Sequence, residues 1–213
     1  MIIRQVAILC FLTLFFNLNA QNDSVKCEFN CVLKEGVYLN YYDFRNQNPV
    51  LKEEIESALD KNQVNFIGKI LKENKFTYNK GGEKIISESK NVWGFYQNNS
   101  LHVNFADEFN RVSMFGSISY LIATIEVTSP GMYTPGYGGM MGGSITTKEV
   151  RSFFMNFYDG KIIPFSQGEA EELISRDKEL YKEFKTLKAR QRKDQISRYI
   201  RKYNEINPVY FLK

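Results

Sequence analysis

The feature that most constrains this chain is the run Arg111–Val127, RVSMFGSISYLIATIEV, in which side-chain character alternates with a period of two. That period belongs to a β-strand, whose successive side chains point to opposite faces. Drawn straight, the run would reach ~55 Å at ~3.3 Å per residue, which is long for one strand of a globular sheet. A bend or bulge near Gly116 is the expected remedy. Ile118, Tyr120 and Ile122 fall on one face, and Leu121, Ala123 and Ile125 on the other. Apolar residues on both faces predict a central strand covered on both sides.

The surrounding sequence, from Phe66 to Phe165, is also β-like. KFTYN, EKIIS, NVWGFYQ and SLHVNF are short β-prone runs separated by turn residues such as Gly81–Gly82 and Asn98–Asn99. The join at Gln97–Ser100 reads as a hairpin. KEVRSFFMNFYDGKIIPF reads as another strand pair about Asp159–Gly160. Upstream, Val37, Leu39 and Tyr41 alternate with Tyr38, Asn40 and Tyr42, as in a strand. Asn48–Pro49, with Glu53 and Glu54 close behind, has the signature of a helix start; Leu51, Ile55, Ala58 and Leu59 would share one face.

Beyond Pro164 the period changes to that of a helix. Ser166 and Glu169 have the spacing of a capping box. Leu173, Leu180, Phe184 and Leu187 keep helical spacing, as do Ile196, Tyr199, Ile200 and Tyr203. The nine-residue step from Leu187 to Ile196 puts the two groups about half a turn out of phase. A helical pair broken near Arg190–Asp194 resolves the conflict, and Asn207–Pro208 ends it. The expected fold is therefore α+β: a twisted antiparallel sheet or partly closed β-barrel with a C-terminal helical pair. It would form a single domain over residues 21–213, β-rich through 35–165 and helical through 166–207.

Residues 1–20, MIIRQVAILCFLTLFFNLNA, read as a signal peptide: Arg4, a short apolar core, and Leu18 and Ala20 before a cut at Gln21. The apolar run is too short for a stable membrane span, and no later segment is long and apolar enough for a transmembrane helix. The expected location is periplasmic or extracellular. The formal net charge of +4 becomes +3 when Arg4 leaves, a mild excess that does not call for nucleic acid. Export places Cys27 and Cys31 of CEFNC in an oxidising compartment. They are a candidate disulfide, with bonded and free forms both open. Without nearby histidines they make no zinc site.

The glycine-rich loop 129–143 is the oddest segment, with six glycines from Gly131 to Gly143 among Met132, Tyr133, Tyr137, Met140 and Met141. A phosphate-binding loop needs Gly–Lys–Ser/Thr and a following helix, whereas Gly143–Ser144 leads into Ile–Thr–Thr. Thioethers suit Cu(I), but no histidine or cysteine joins the methionines. The segment reads as a slack connection between two strands, with Tyr133 and Tyr137 offering an adaptable binding surface. No cofactor or metal is expected.

His102 is the only histidine. It alternates away from Leu101, Val103 and Phe105, toward water or the opposite sheet face, and no nucleophile-elbow motif accompanies it. Asp43, Asp107 and Glu108 sit at expected strand ends, and a glycosidase needs only two carboxyls. Trp93, Phe95 and Tyr96, with Tyr38, Tyr41 and Tyr42, read either as core or as a sugar-binding platform. Arg192, Arg198 and Arg201 lie in a basic run over 185–202, which reads either as a solvated helix face or as a surface for anionic lipid or acidic glycan.

GVYLNYYDFRNQNP, NVWGFYQNNSLHVNF, EFNRVSMFGSISYL and LYKEF…RYIRKYNEINP together resemble a group of uncharacterised small secreted proteins from Bacteroidota. The resemblance implies export and an envelope or extracellular setting, and nothing about activity carries over from it. The expected function is that of a non-catalytic envelope or extracellular protein binding a protein partner or a glycan, at the candidate surface Trp93, Tyr96, Tyr133, Tyr137, Arg192, Arg198 and Arg201. The alternative is a secreted hydrolase using carboxylates. Oligomeric state is not legible at this level.

Overall fold

The computed structural model describes residues 24–27, 33–129 and 144–212, with 24–27 and 212 described by backbone only. Its strands are β1 (Ser24–Cys27), β2 (Gly36–Tyr38), β3 (Ile55–Glu56), β4 (Lys75–Lys80), β5 (Glu83–Glu88), β6 (Gly94–Gln97), β7 (Ser100–Phe105), β8 (Glu108–Met114), β9 (Ile118–Ser129), β10 (Ile145–Asn156), β11 (Ile162–Pro164) and β12 (Val209–Leu212). Its helices are α1 (Tyr41–Arg45), α2 (Phe66–Ile70), α3 (Gln167–Ile174), α4 (Lys178–Thr186) and α5 (Ala189–Ile206). A seven-stranded antiparallel sheet runs in the order β11-β10-β9-β8-β7-β6-β2. It is open, with β11 and β2 at its edges, so the fold is a sheet and not a closed barrel. A small sheet β3-β4-β5 and a ribbon β1-β12 complete the α+β architecture.

Local chemistry accounts for the hairpins. Each of three tight turns sets two residues in the left-handed region, which matches the twist of the flanking strands. They are Gly81–Gly82 between β4 and β5, Asn98–Asn99 between β6 and β7, and Ala106–Asp107 between β7 and β8. Glycine and asparagine tolerate that conformation; alanine does so against the clash of its Cβ with the backbone.

The run Arg111–Val127 does alternate, but it does not form one bent strand. It folds back at Phe115–Ser117, and β8 pairs antiparallel with β9, Val112 opposite Leu121 and Met114 opposite Tyr120 with a bulge between. Over Ile118–Leu121, β9 is covered on both sides, and at Tyr120 and Leu121 it lies between β8 and β10, whereas Ile122, expected on a covered face, is 47 % exposed. Leu121 and Ala123 enter one cluster with Tyr38, Phe44, Phe157 and Phe211. Ile118 and Tyr120 meet α3, α4 and α5 in another, around Phe154, Phe184 and Ile200.

Two local expectations give way to tertiary pairing. The helix expected after Asn48–Pro49 is absent. Val50 instead bridges Val37 through two backbone hydrogen bonds of 2.9 and 2.8 Å, and Ile55 pairs with Tyr78. Both side chains are buried against α2 and the small sheet, a gain that local helix propensity cannot match. The strand expected through Tyr42 stops at Tyr38. Asn40 then caps α1, its Oδ1 accepting from Asp43 N–H at 2.8 Å.

The C-terminal region is three helices where two were expected. Ser166 caps α3, as its spacing predicted, and Asp177 caps α4 by accepting from Leu180 N–H at 2.9 Å. The break expected at Arg190–Asp194 falls earlier, at Leu187–Lys188, so those residues form the first turns of α5. The phase conflict between Leu187 and Ile196 is thus resolved as anticipated, a few residues upstream. Among the described residues, no helix is long and apolar enough to cross a membrane.

Candidate functional site

Strands β6, β7 and β8 lie side by side in a fixed register, with Phe95 opposite His102 and His102 opposite Arg111. Period-two alternation divides the middle strand. Leu101 and Val103 enter the core with Tyr96, while Ser100, His102 and Asn104 face the other way. Gly94 is required at the edge of this register, because a Cβ there would meet the His102 carbonyl oxygen at 2.4 Å.

The polar face of β7 is the floor of a groove of about 830 Å³. One wall is α2, whose Phe66, Ile67 and Ile70 are buried against Phe95 and Val92. Gln97 ties this wall to the floor, its Oε1 accepting from Ile67 N–H at 3.2 Å. The short helical turn Ser89–Asn91 forms the second wall. Asn104 holds it by donating to the carbonyls of Lys90 and Val92, both at 2.9 Å. The Asn98–Asn99 and Ala106–Asp107 turns close the hairpins of the floor, and Asn98 and Asp107 line the groove.

His102 sits at the centre. Its ring stacks on Phe95 with centroids 4.5 Å apart and planes 3° from parallel, and Phe109 meets Phe95 edge-on at 5.4 Å. Burial holds the imidazole below its ordinary pKa; the Ser100 carbonyl opposes the shift, and Arg111 adds to it. His102 Nδ1 and Ser89 Oγ, on two residues that line the groove, are buried with no hydrogen-bond partner for either atom among the described residues. A buried polar atom left unsatisfied is unfavourable by about 1–3 kcal/mol, so such atoms ask for an explanation, and a polar ligand supplies one.

Formal charges in the groove balance, with Lys69, Lys72 and Lys90 against Glu73, Asp107 and Glu108. Amides and hydroxyls make up much of the remaining polar lining. That chemistry suits an uncharged, hydrogen-bonding ligand more than a polyanion or polycation.

A model of a family of unknown function, DUF6563, matches residues 36–207. The chain belongs to this family. No curated protein and no solved structure matches it. The DUF6563 match runs from the start of β2 to just past α5, so it takes in the whole groove.

Within this DUF6563 fold the expected site residues are dispersed. Tyr96 is only 6 % exposed, and Trp93 packs at 4.5 Å on Phe44 along the edge of the same cluster, on the side away from the groove. Arg192 is largely buried, 3.6 Å from Glu171; Arg198 and Arg201 are exposed on α5. Tyr133, Tyr137, Cys31 and the side chain of Cys27 lie outside the described residues. Of the carboxylates, Asp107 and Glu108 line the groove, whereas Asp43 is engaged with Asn40 at the start of α1. His102 does turn to the opposite sheet face. The alternation of SLHVNF signalled that polar face, but not its walls: Phe66–Ile70, expected within the β-like region, is helix α2, too short to show a helical period and preceded by Asn65, which makes no side-chain cap hydrogen bond.

Proposed function

We propose that this is an exported, non-catalytic envelope or extracellular protein of a Bacteroidota-type cell, and that it binds a glycan in the groove over β7. The observation that carries this reading is the charge-balanced, amide-lined groove over β7, with His102 Nδ1 and Ser89 Oγ left without partners beneath its lining among the described residues. Hydroxyl groups of a sugar both donate and accept, which matches the amides and hydroxyls that line the groove. A protein partner at the same groove is the other form of the reading. The leader at residues 1–20 supports export, and the motif resemblance supports the bacterial source.

The test is binding of the chain lacking its leader to arrayed neutral and acidic oligosaccharides and to immobilised envelope polysaccharide. Binding to neutral sugars is expected, lost in Ser100→Phe, which fills the floor, and weakened about tenfold in His102→Ala. Binding that both substitutions leave unchanged would sink the groove as the site. A secreted hydrolase is the second reading, favoured by Asp107 and Glu108 in the same groove. It requires sugar release that disappears in Asp107→Asn or Glu108→Gln.

A further inference from the structure

The hairpin of β9 and β10 reaches past the rest of its sheet. The two strands pair from Ile118–Asn156 to Ser129–Ile145. Yet β8 pairs with β9 only at Tyr120 and Leu121, and β11 pairs with β10 only at Phe153–Met155. The outer half is therefore a two-stranded ribbon with neither edge paired among the described residues. An open edge of this kind is a template for another strand.

The direction of the free backbone groups follows from one hydrogen bond. Phe165 N–H donates to the Ser152 carbonyl at 2.9 Å, so Ser152 points its backbone groups out of the β11 edge. In an antiparallel strand this direction alternates along the chain. Thr146, Lys148 and Val150 therefore aim N–H and C=O out of the same edge, with no strand beyond them among the described residues. Val150 is 72 % exposed and Ile145 58 %.

We propose that this edge of β10 pairs antiparallel with β10 of a second copy, with Thr147 facing Thr147, to give a four-stranded ribbon. Two-fold pairing sets one residue opposite itself. Lys148, Glu149 or Arg151 in that place would oppose like charges. Val150 there would bring Thr147 of the incoming strand opposite Phe153, where Pro164 already lies. Centring on Thr146 or Ile145 would engage fewer of the described residues. Only Thr147 leaves 144–150 free in both copies: Lys148 faces Thr146, Glu149 faces Ile145, and Val150 faces Ser144. No like charges stand directly opposite one another, the two Lys148 side chains being diagonal neighbours, and both exposed apolar residues gain a neighbour. The surface is separate from the groove and does not depend on its ligand.

Sedimentation equilibrium of the chain lacking its leader tests this. A concentration-dependent dimer is expected. Thr146→Lys sets lysine against Lys148 of the second copy twice, and is expected to weaken the dimer about tenfold; Thr146→Glu sets two attractive pairs and strengthens it by a similar factor. Thermal melts of both variants check that the monomer fold is intact. Thr147→Cys is expected to form a disulfide between copies on mild oxidation, because residues facing each other at a position without inter-strand hydrogen bonds lie about 4.5 Å apart at Cα. A chain that stays monomeric to ~1 mM overturns the proposal. So does a dimer that ignores both Thr146 substitutions and is not cross-linked through position 147.

Discussion

Both main-chain groups of Ile118 are held by one side chain, the carboxamide of Asn204. Its Oδ1 accepts from Ile118 N–H at 2.8 Å, and its Nδ2 donates to the Ile118 carbonyl at 2.8 Å. The amide thus stands where the backbone of a neighbouring strand would stand. It latches the last turns of α5 to the first residue of β9, and the Ile118 side chain beneath it is fully buried. Ser117 Oγ donates to the Asn207 carbonyl beside it, so two contacts bind the helix end to the same turn.

Asn204→Ala is expected to lower stability by about 2–4 kcal/mol, because it leaves a donor and an acceptor unpaired beneath a helix. Gly116 belongs to the same latch, since a Cβ there would come within 2.5 Å of the Asn204 amide. Gly116→Ala should cost about 1–3 kcal/mol in the parent chain and far less once Asn204 is alanine. Urea unfolding of the two single variants and the double variant measures the coupling. Simple additivity would show that the two residues do not share one contact.

Ala106 has φ of 56°, the one alanine among the described residues with positive φ. Ala106→Gly is expected to stabilise the protein by about 0.5–1 kcal/mol, the relief of left-handed strain less the added entropy of the unfolded chain. Gly81→Ala, at φ of 61° in the equivalent turn, should destabilise by a similar amount. Unfolding midpoints that move the same way for both would contradict the turn assignment.

His102 titrates below its ordinary value in the folded protein. As pH falls through about 6.5, the unfolded chain takes up the proton first. Stability associated with the neutral ring is therefore full above that pH and declines as pH drops toward the folded value. His102→Gln should flatten this part of the profile. Because no other histidine exists, the ring resonances in an NMR titration report it directly. A midpoint at or above the free-imidazole value would remove the burial argument.

Export carries its own check. The native protein is expected in the periplasmic or extracellular fraction with Gln21 as its first residue, as read by N-terminal peptide mass. Recovery from the cytosol with Met1 attached would remove the compartment from the proposed function.

The fold was largely legible in the sequence, and the reasons are local. Asn98–Asn99, Gly81–Gly82 and Asp159–Gly160 mark turns because few residues tolerate the backbone they need. Ser166 marks a helix start because its hydroxyl supplies an acceptor for the Glu169 N–H. The candidate groove was half legible. The alternation of Ser100, His102 and Asn104 with core residues is visible in one strand, whereas Phe66–Ile70 is too short to show the period of the helix that walls it.

Period and turn chemistry thus determined, from the chain alone, that it would build hairpins followed by amphipathic helices, since those properties act between residues a few positions apart. Tertiary structure decided that Arg111–Val127 folds back at Gly116, that Val50 and Ile55 pair as strand, and that α2 walls the groove over β7. These outcomes depend on contacts between segments distant in sequence: Asn204 with Ile118, Val50 with Val37, Ile67 with Gln97. Burial at those contacts outweighs local preference, and no short stretch of sequence carries that balance.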